Sequence, residues 1–155
     1  MIATNRLKQV EIFEGLTEDQ IRLLAPHMRE RHYRSGEVLF REGQPARSLI
    51  VLLEGFVSLR AERDGEITML ASLRGRQILG WSAVVGGGAY RATAICLEDS
   101  AGIELDGDDL QQLCEAHPAL GVRILRQLGT VIADRLDATR RQLARRLRPG
   151  LISHG

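Results

Sequence analysis

Hydrophobic positions in this chain keep a helical spacing at both ends and break into short, glycine-divided runs between them. Near the start, Ile21, Leu24, Ala25 and Met28 recur at three and four residues, directly after Thr17-Glu18-Asp19-Gln20. The Thr17 hydroxyl can cap that first turn while Gln20 reaches back, so the pattern predicts a short amphipathic helix. From residue 30 to 107 the texture changes. Glycines at 36, 43, 55, 65, 75, 80, 102 and 107 separate runs such as Val38-Leu39-Phe40 and Leu49 to Leu53, which predicts about eight short strands. Strands this short and this often divided pack as a β-sandwich or β-roll. Val57 to Arg60, Asp64-Gly65-Glu66 and Ile67 to Met69 read as strand, tight turn and strand, because Asp-Gly tolerates the positive backbone angles of a hairpin.

After Asp106 the helical period returns. Leu110, Leu113 and Cys114 fall on one face, and Pro118 is placed to open a second helix after His117. Along that helix Leu125, Leu128, Ile132, Leu136, Thr139, Leu143 and Leu147 step by three or four residues, a narrow stripe on an element of about 118–147. A stripe so long and thin needs a partner, and the expectation is a homodimer built through the C-terminal helix. The domain is expected to occupy residues 1–147, with 148–155 as a tail.

Composition narrows the function. The chain has 155 residues, one domain's worth, and 21 Lys+Arg against 20 Asp+Glu leave a net charge of +1, so no global field draws it to a polyanion. Arg140, Arg141, Arg145, Arg146 and Arg148 crowd the end of the helix, where they complement its dipole and solvate its outer face. Two cysteines, Cys96 and Cys114, with no signal-like start and no long apolar span, fit a reduced, cytoplasmic protein and no membrane association. The histidines at 27, 32, 117 and 154 have no metal-binding spacing and neither cysteine belongs to a CxxC pair, so no metal site and no catalytic residue is expected.

One segment carries candidate chemistry: Ile78-Leu79-Gly80-Trp81-Ser82-Ala83, then Gly86-Gly87-Gly88, then Arg91-Ala92-Thr93-Ala94. A glycine that closes a strand and opens a helical turn directs backbone N–H groups toward one place, and an arginine about ten residues later can return to it. Together these describe an anion pocket, against the plainer reading of a glycine-rich surface loop with a solvated arginine.

The wider pattern favours the pocket. From Phe13-Glu14-Gly15-Leu16 through Gly36-Glu37-Val38-Leu39-Phe40, Glu42-Gly43, Gly55, Gly75, Gly80 and Arg91-Ala92-Thr93-Ala94, the chain resembles the cyclic nucleotide-binding domain superfamily. Within it, the sequence is similar to the effector domain of bacterial cAMP-receptor and fumarate-nitrate-regulator type transcription factors, whose long helix carries an Arg-Leu-x-x-Thr element, here Arg135-Leu136-Asp137-Ala138-Thr139. The resemblance implies a mainly β fold, a double-stranded β-helix (β-roll or jelly-roll) with a flanking N-terminal helix and a long C-terminal helix. It implies a ligand site at Gly80, Trp81, Ser82, Ala83, Arg91, Ala92 and Thr139: donors from 80, 82 and 83 on a phosphate, Arg91 neutralising it, and Thr139 reaching a base. Ala92, where some relatives carry a hydroxyl residue, favours adenine over guanine.

Two departures qualify that expectation. Relatives read Gly-Glu in this cassette, the carboxylate accepting a hydrogen bond from the ribose 2′-hydroxyl, whereas this chain has Gly80-Trp81. An indole is a donor only, and losing such a bond costs about 1.5–3 kcal/mol, roughly tenfold to hundredfold in affinity. The chain also ends before a helix-turn-helix domain, so sequence-specific DNA binding is not expected of it. The expectation is a stand-alone, non-catalytic sensor with a degenerate cassette that takes cAMP weakly or another anionic ligand and passes its state to a protein partner. The alternative is an interaction module, dimeric through the same helix, with a vestigial and empty pocket.

Overall fold

The computed structural model describes residues 4–152, with side chains through Leu147. Eight strands lie between Met28 and Asp106, flanked by helices, as the glycine-divided runs predict. Strands β1 (Met28–Tyr33), β8 (Ser100–Asp106), β3 (Ser48–Glu54) and β6 (Ile78–Leu79) form one antiparallel sheet in that order. The second sheet holds β2 (Val38–Phe40), β7 (Thr93–Cys96), β4 (Phe56–Arg63) and β5 (Glu66–Arg74). The Asp-Gly signal is met: Asp64 and Gly65 take φ of 53° and 79°, and Arg63 pairs with Glu66 across the turn.

Helix α1 (Thr4–Leu7) and a 3₁₀ turn (Glu11–Phe13) lead into α2 (Glu18–Leu24), where Thr17 and Gln20 exchange both capping hydrogen bonds. Met28, expected on this helix, begins β1 instead. Pro26 brings no N–H to an α-helical turn, and the chain leaves through a 3₁₀ turn at Ala25–His27. After the sheets come α3 (Gly107–Ala116), capped by Asp106, and α4 (Pro118–Ile152). Helix α4 therefore continues past 147 into the segment expected to be a tail, and residues 153–155 lie outside the described residues.

Two cores result. One lies between the sheets and contains Tyr33, Phe40, Leu52, Val57, Leu79 and Tyr90. The other joins the outer face of the first sheet to the helices, with Ile12, Phe13, Ile21, Leu49, Ile103 and Leu110 against Leu120, Ile124, Leu128 and Val131 of α4. Leu128 is 1% exposed, so it belongs to the subunit's own core and not to an outward stripe. The outward apolar face of α4 consists instead of Val122, Leu125, Leu136, Leu143 and Leu147, all close to half exposed. Helix α4 thus has two apolar faces, and a single run of three- and four-residue steps crosses from one to the other. Among the described residues no helix is long and apolar enough to cross a membrane.

Candidate phosphate-binding cassette

Strand β6 delivers the chain into the cassette, and Gly80 makes the turn possible. Its φ of 79° and ψ of 29° are left-handed, and an added Cβ would sit 2.9 Å from the Ser48 carbonyl and 3.1 Å from the Tyr90 ring. A 3₁₀ turn at Trp81–Ala83 follows. The Ala83 N–H closes this turn on Gly80 O at 3.1 Å, so it is engaged internally and does not offer the free donor expected of it. Ala83 instead backs onto α3, where an added Cβ on Gly107 would lie 2.1 Å from its carbonyl oxygen. The Gln111 amide meets the carbonyls of Ala83 and Val84 at 3.5 and 3.1 Å.

An inner cavity of about 80 Å³ opens beside this turn, lined by Gly80, Trp81, Ser82, Arg91 and Ala92 together with Phe40, Leu59, Tyr90 and Arg135. Phe40 and Tyr90 form its stacked aromatic wall, their centroids 3.9 Å apart. The Tyr90 hydroxyl donates to Ser48 O at 2.8 Å and accepts from Ser48 N at 3.1 Å, which fixes that wall to β3. Burial raises the Tyr90 pKa, so the ring stays neutral. An outer cleft of about 350 Å³ continues from the cavity between β5 and α4. It shares Leu59, Trp81, Arg91, Ala92 and Arg135 with the inner cavity and adds Thr139 and Gln142.

Of the seven residues singled out in the sequence, six therefore line these two connected spaces and Ala83 does not. The Thr139 hydroxyl currently donates to Arg135 O at 3.0 Å, and Arg91, exposed, donates to the Gly86 carbonyl. Among the described residues no acidic side chain lines either space.

Arg135 is the member that sequence reading left without a role. Its guanidinium carbon lies 4.9 Å from the Trp81 ring centroid, its Nη2 donates to Glu11 Oε2 at 3.3 Å and to the Ile78 carbonyl, and its Nε and Nη1 are buried without an acceptor. Burial lowers its pKa from the usual guanidinium value while Glu11 opposes that shift. Glu11 also accepts from Ile78 N at 2.8 Å, and its carbonyl accepts from Gln127 Nε2 at 3.0 Å, so one residue ties the N-terminal 3₁₀ turn to β6 and α4.

A larger cavity, about 470 Å³, lies between Val84-Val85, α3 and the start of α4. It is lined chiefly by apolar groups, and the amide of Gln111, one of its polar groups, already bonds the backbone. Convergent cationic groups are found at the cassette and not there. Among the described residues no three His, Cys, Asp or Glu side chains gather to hold a metal ion.

Two antiparallel four-stranded sheets, flanking helices and a glycine-initiated cassette answered by an arginine define a cyclic nucleotide-binding fold. Residues 30–117 match the cyclic nucleotide-binding domain family, and the chain belongs to it. Among solved structures, a candidate cyclic nucleotide-binding protein from Geobacter metallireducens GS-15 superposes with a TM-score of 0.79 at 26% identity, covering 88% of this chain and 99% of that one. A CRP-like cAMP-activated global transcriptional regulator of Mycobacterium tuberculosis is 24% identical over 139 residues, which are 89% of this chain. Glutaminase 1 of Bradyrhizobium diazoefficiens is 30% identical over 135 residues, 86% of this chain. The chain spans 60% of the first relative and 21% of the second.

Proposed function

We propose that the protein is a non-catalytic, cytoplasmic regulatory sensor whose cassette binds a small anionic ligand, with cAMP itself bound weakly. The observation that carries this reading is the pair of connected spaces lined, among the described residues, by two arginines and no carboxylate. Such a site stabilises negative charge wherever a ligand brings it. Gly80, Ser82 and Arg91 are the groups placed to receive the anion, and Ala92 and Thr139 face the space where the rest of a ligand would extend. Trp81 stands where the resemblance expects a carboxylate, and that is why cAMP is not the preferred ligand.

The output is assigned to α4. Its outward residues Val122, Leu125, Leu136, Leu143 and Leu147 are 48–55% exposed and follow one helical face, which favours a second copy of the chain as partner. Mass spectrometry of small molecules released from the natively purified protein tests the sensor reading without presupposing the ligand. An anionic metabolite released from the wild type and absent from Arg91→Ala supports it. Failure of any anion to bind, with dimerisation intact, would favour the alternative of an interaction module with a vestigial pocket.

A further inference from the structure

The inner cavity is too small for a nucleotide. At about 80 Å³ it has room for a phosphate-sized group, and the rest of a nucleotide would have to lie in the connected outer cleft of about 350 Å³. Trp81 limits it, because the same indole borders both the inner cavity and the outer cleft. Arg135 lies behind that indole with two donors unpaired. An aromatic face balances charge but accepts no hydrogen bond of full strength, so Nε and Nη1 remain the unsatisfied members of an otherwise bonded cluster.

We propose, building on the anion-sensing reading above, that Trp81 is a displaceable plug on Arg135 and that the ligand's anionic group is a terminal phosphate, as in a phosphate monoester, not a cyclic phosphodiester. Swinging the indole away widens the connected space and opens Arg135 Nε and Nη1 to it, in a lining that already includes Arg91. Free donors are then available from both guanidinium groups and from the Ser82 hydroxyl. A phosphate monoester carries three terminal oxygens and nearly two negative charges, and it can meet all of these donors at once. A cyclic phosphodiester has two terminal oxygens and a single charge, so it meets the same two guanidinium groups with fewer acceptor sites and about half the charge. Glu11 does not remove this preference, since it engages only Nη2 and lines neither space.

Trp81 is the only tryptophan in the chain, so its emission reports the plug directly. Wild type, Trp81→Ala, Arg135→Gln, Arg135→Lys and Arg91→Ala are titrated with 5′-AMP, cAMP and inorganic phosphate by calorimetry, and by fluorescence wherever Trp81 is retained. Far-UV circular dichroism checks that each variant is folded. In the wild type, 5′-AMP should bind about tenfold more tightly than cAMP and shift the Trp81 emission. Trp81→Ala should bind inorganic phosphate about tenfold more tightly than wild type. Arg135→Gln should lose the preference for 5′-AMP while keeping the binding that Arg91→Ala abolishes, and Arg135→Lys, which keeps the charge, should retain part of that preference.

Equal or tighter binding of cAMP in the wild type, or a preference unchanged in Arg135→Gln, overturns the plug and the monoester assignment and leaves the anion-sensing reading standing. Absence of binding by all three probes to both wild type and Trp81→Ala overturns the plug and the monoester assignment, and the anion-sensing reading then stands or falls on the small molecules released from the native protein.

Discussion

Arg135 and Trp81 face one another across the cassette, guanidinium carbon to ring centroid 4.9 Å, at the position where the family resemblance calls for a carboxylate. Arg135 takes its counter-charge from elsewhere, since Glu11 of the N-terminal 3₁₀ turn supplies the carboxylate at 3.3 Å. The positive charge beside the cassette is thus balanced by the protein's own N-terminal segment, and the position after Gly80 is occupied by an aromatic ring. The pair is 16% and 30% exposed, so it is only partly screened and its loss would leave a buried cation uncompensated.

Replacing Trp81 by Glu should restore an acceptor for a ribose hydroxyl and a second anionic partner for Arg135. We expect cAMP affinity to rise by about tenfold to hundredfold, the equivalent of about 1.5–3 kcal/mol for a hydrogen bond to a charged group. Isothermal calorimetry on wild type and Trp81→Glu checks this. Nanomolar binding of cAMP by the wild type would refute the role given to the indole.

The dimer proposal is best tested on the outward face of α4. Ile132 packs partly against the helical core, so Ile132→Glu would mix a folding defect with an association defect. Leu136 is 50% exposed, and Leu136→Glu should leave the fold intact while placing a desolvated charge at the seam. Sedimentation velocity at micromolar concentration should show a dimer for wild type and a monomer for the variant. A monomeric wild type, or a dimeric Leu136→Glu, would exclude this seam.

Gly107 couples the cassette to α3. A Cβ there would meet the Ala83 carbonyl oxygen at 2.1 Å and its carbonyl carbon at 2.9 Å, and backbone cannot yield as a flexible side chain would. Gly107→Ala should cost about 1–3 kcal/mol, a fall in Tm of roughly 2–4 °C for each kcal/mol in a domain of this size. Displacement of Ala83 should also weaken anion binding relative to wild type. Scanning calorimetry reads the first effect and titration the second; an unchanged Tm would show that the α3 contact is looser than the geometry implies.

Legibility in the sequence followed the range of the interaction. The Thr17–Gln20 capping box and the Asp64-Gly65 turn are signals three residues apart or fewer, and both were readable. The strand series was readable because each glycine marks a local change of direction. Spacing alone counts Leu128 with the outward stripe, yet it lies in the core, because periodicity identifies an apolar face without saying what covers it and α4 has two such faces. Cassette residues 80–92 were legible as a run, yet Ala83 turned inward because its own 3₁₀ turn uses its N–H. The Glu11–Arg135 pair had no signal at all: its members are 124 positions apart, and only the closure of the β-roll under α4 brings them together.

Tyr33 gives the fold a predictable response to alkali. It is 4% exposed, its hydroxyl donates to Glu104 Oε1 at 3.0 Å, and burial, reinforced by the Glu104 charge and hydrogen bond, holds its pKa far above the ordinary value of 10.0. Tyr90, Cys96 and Cys114 are shifted upward as well, each first by burial. A group that holds its proton more tightly when folded contributes stability that is fully present below its unfolded pKa and is lost as pH rises beyond it. Stability should therefore begin to fall where the thiols would titrate in the unfolded chain, near their ordinary 9.0, and fall more steeply above about pH 10 as the tyrosines join. Tyr33→Phe removes one of these protons. It should cost about 1.5–3 kcal/mol near neutrality through the lost hydrogen bond to a carboxylate, and should make the decline above pH 10 shallower than in wild type. Urea unfolding of both proteins between pH 7 and 11 separates the two effects: parallel curves across that range would show that Tyr33 is not a source of the alkaline loss.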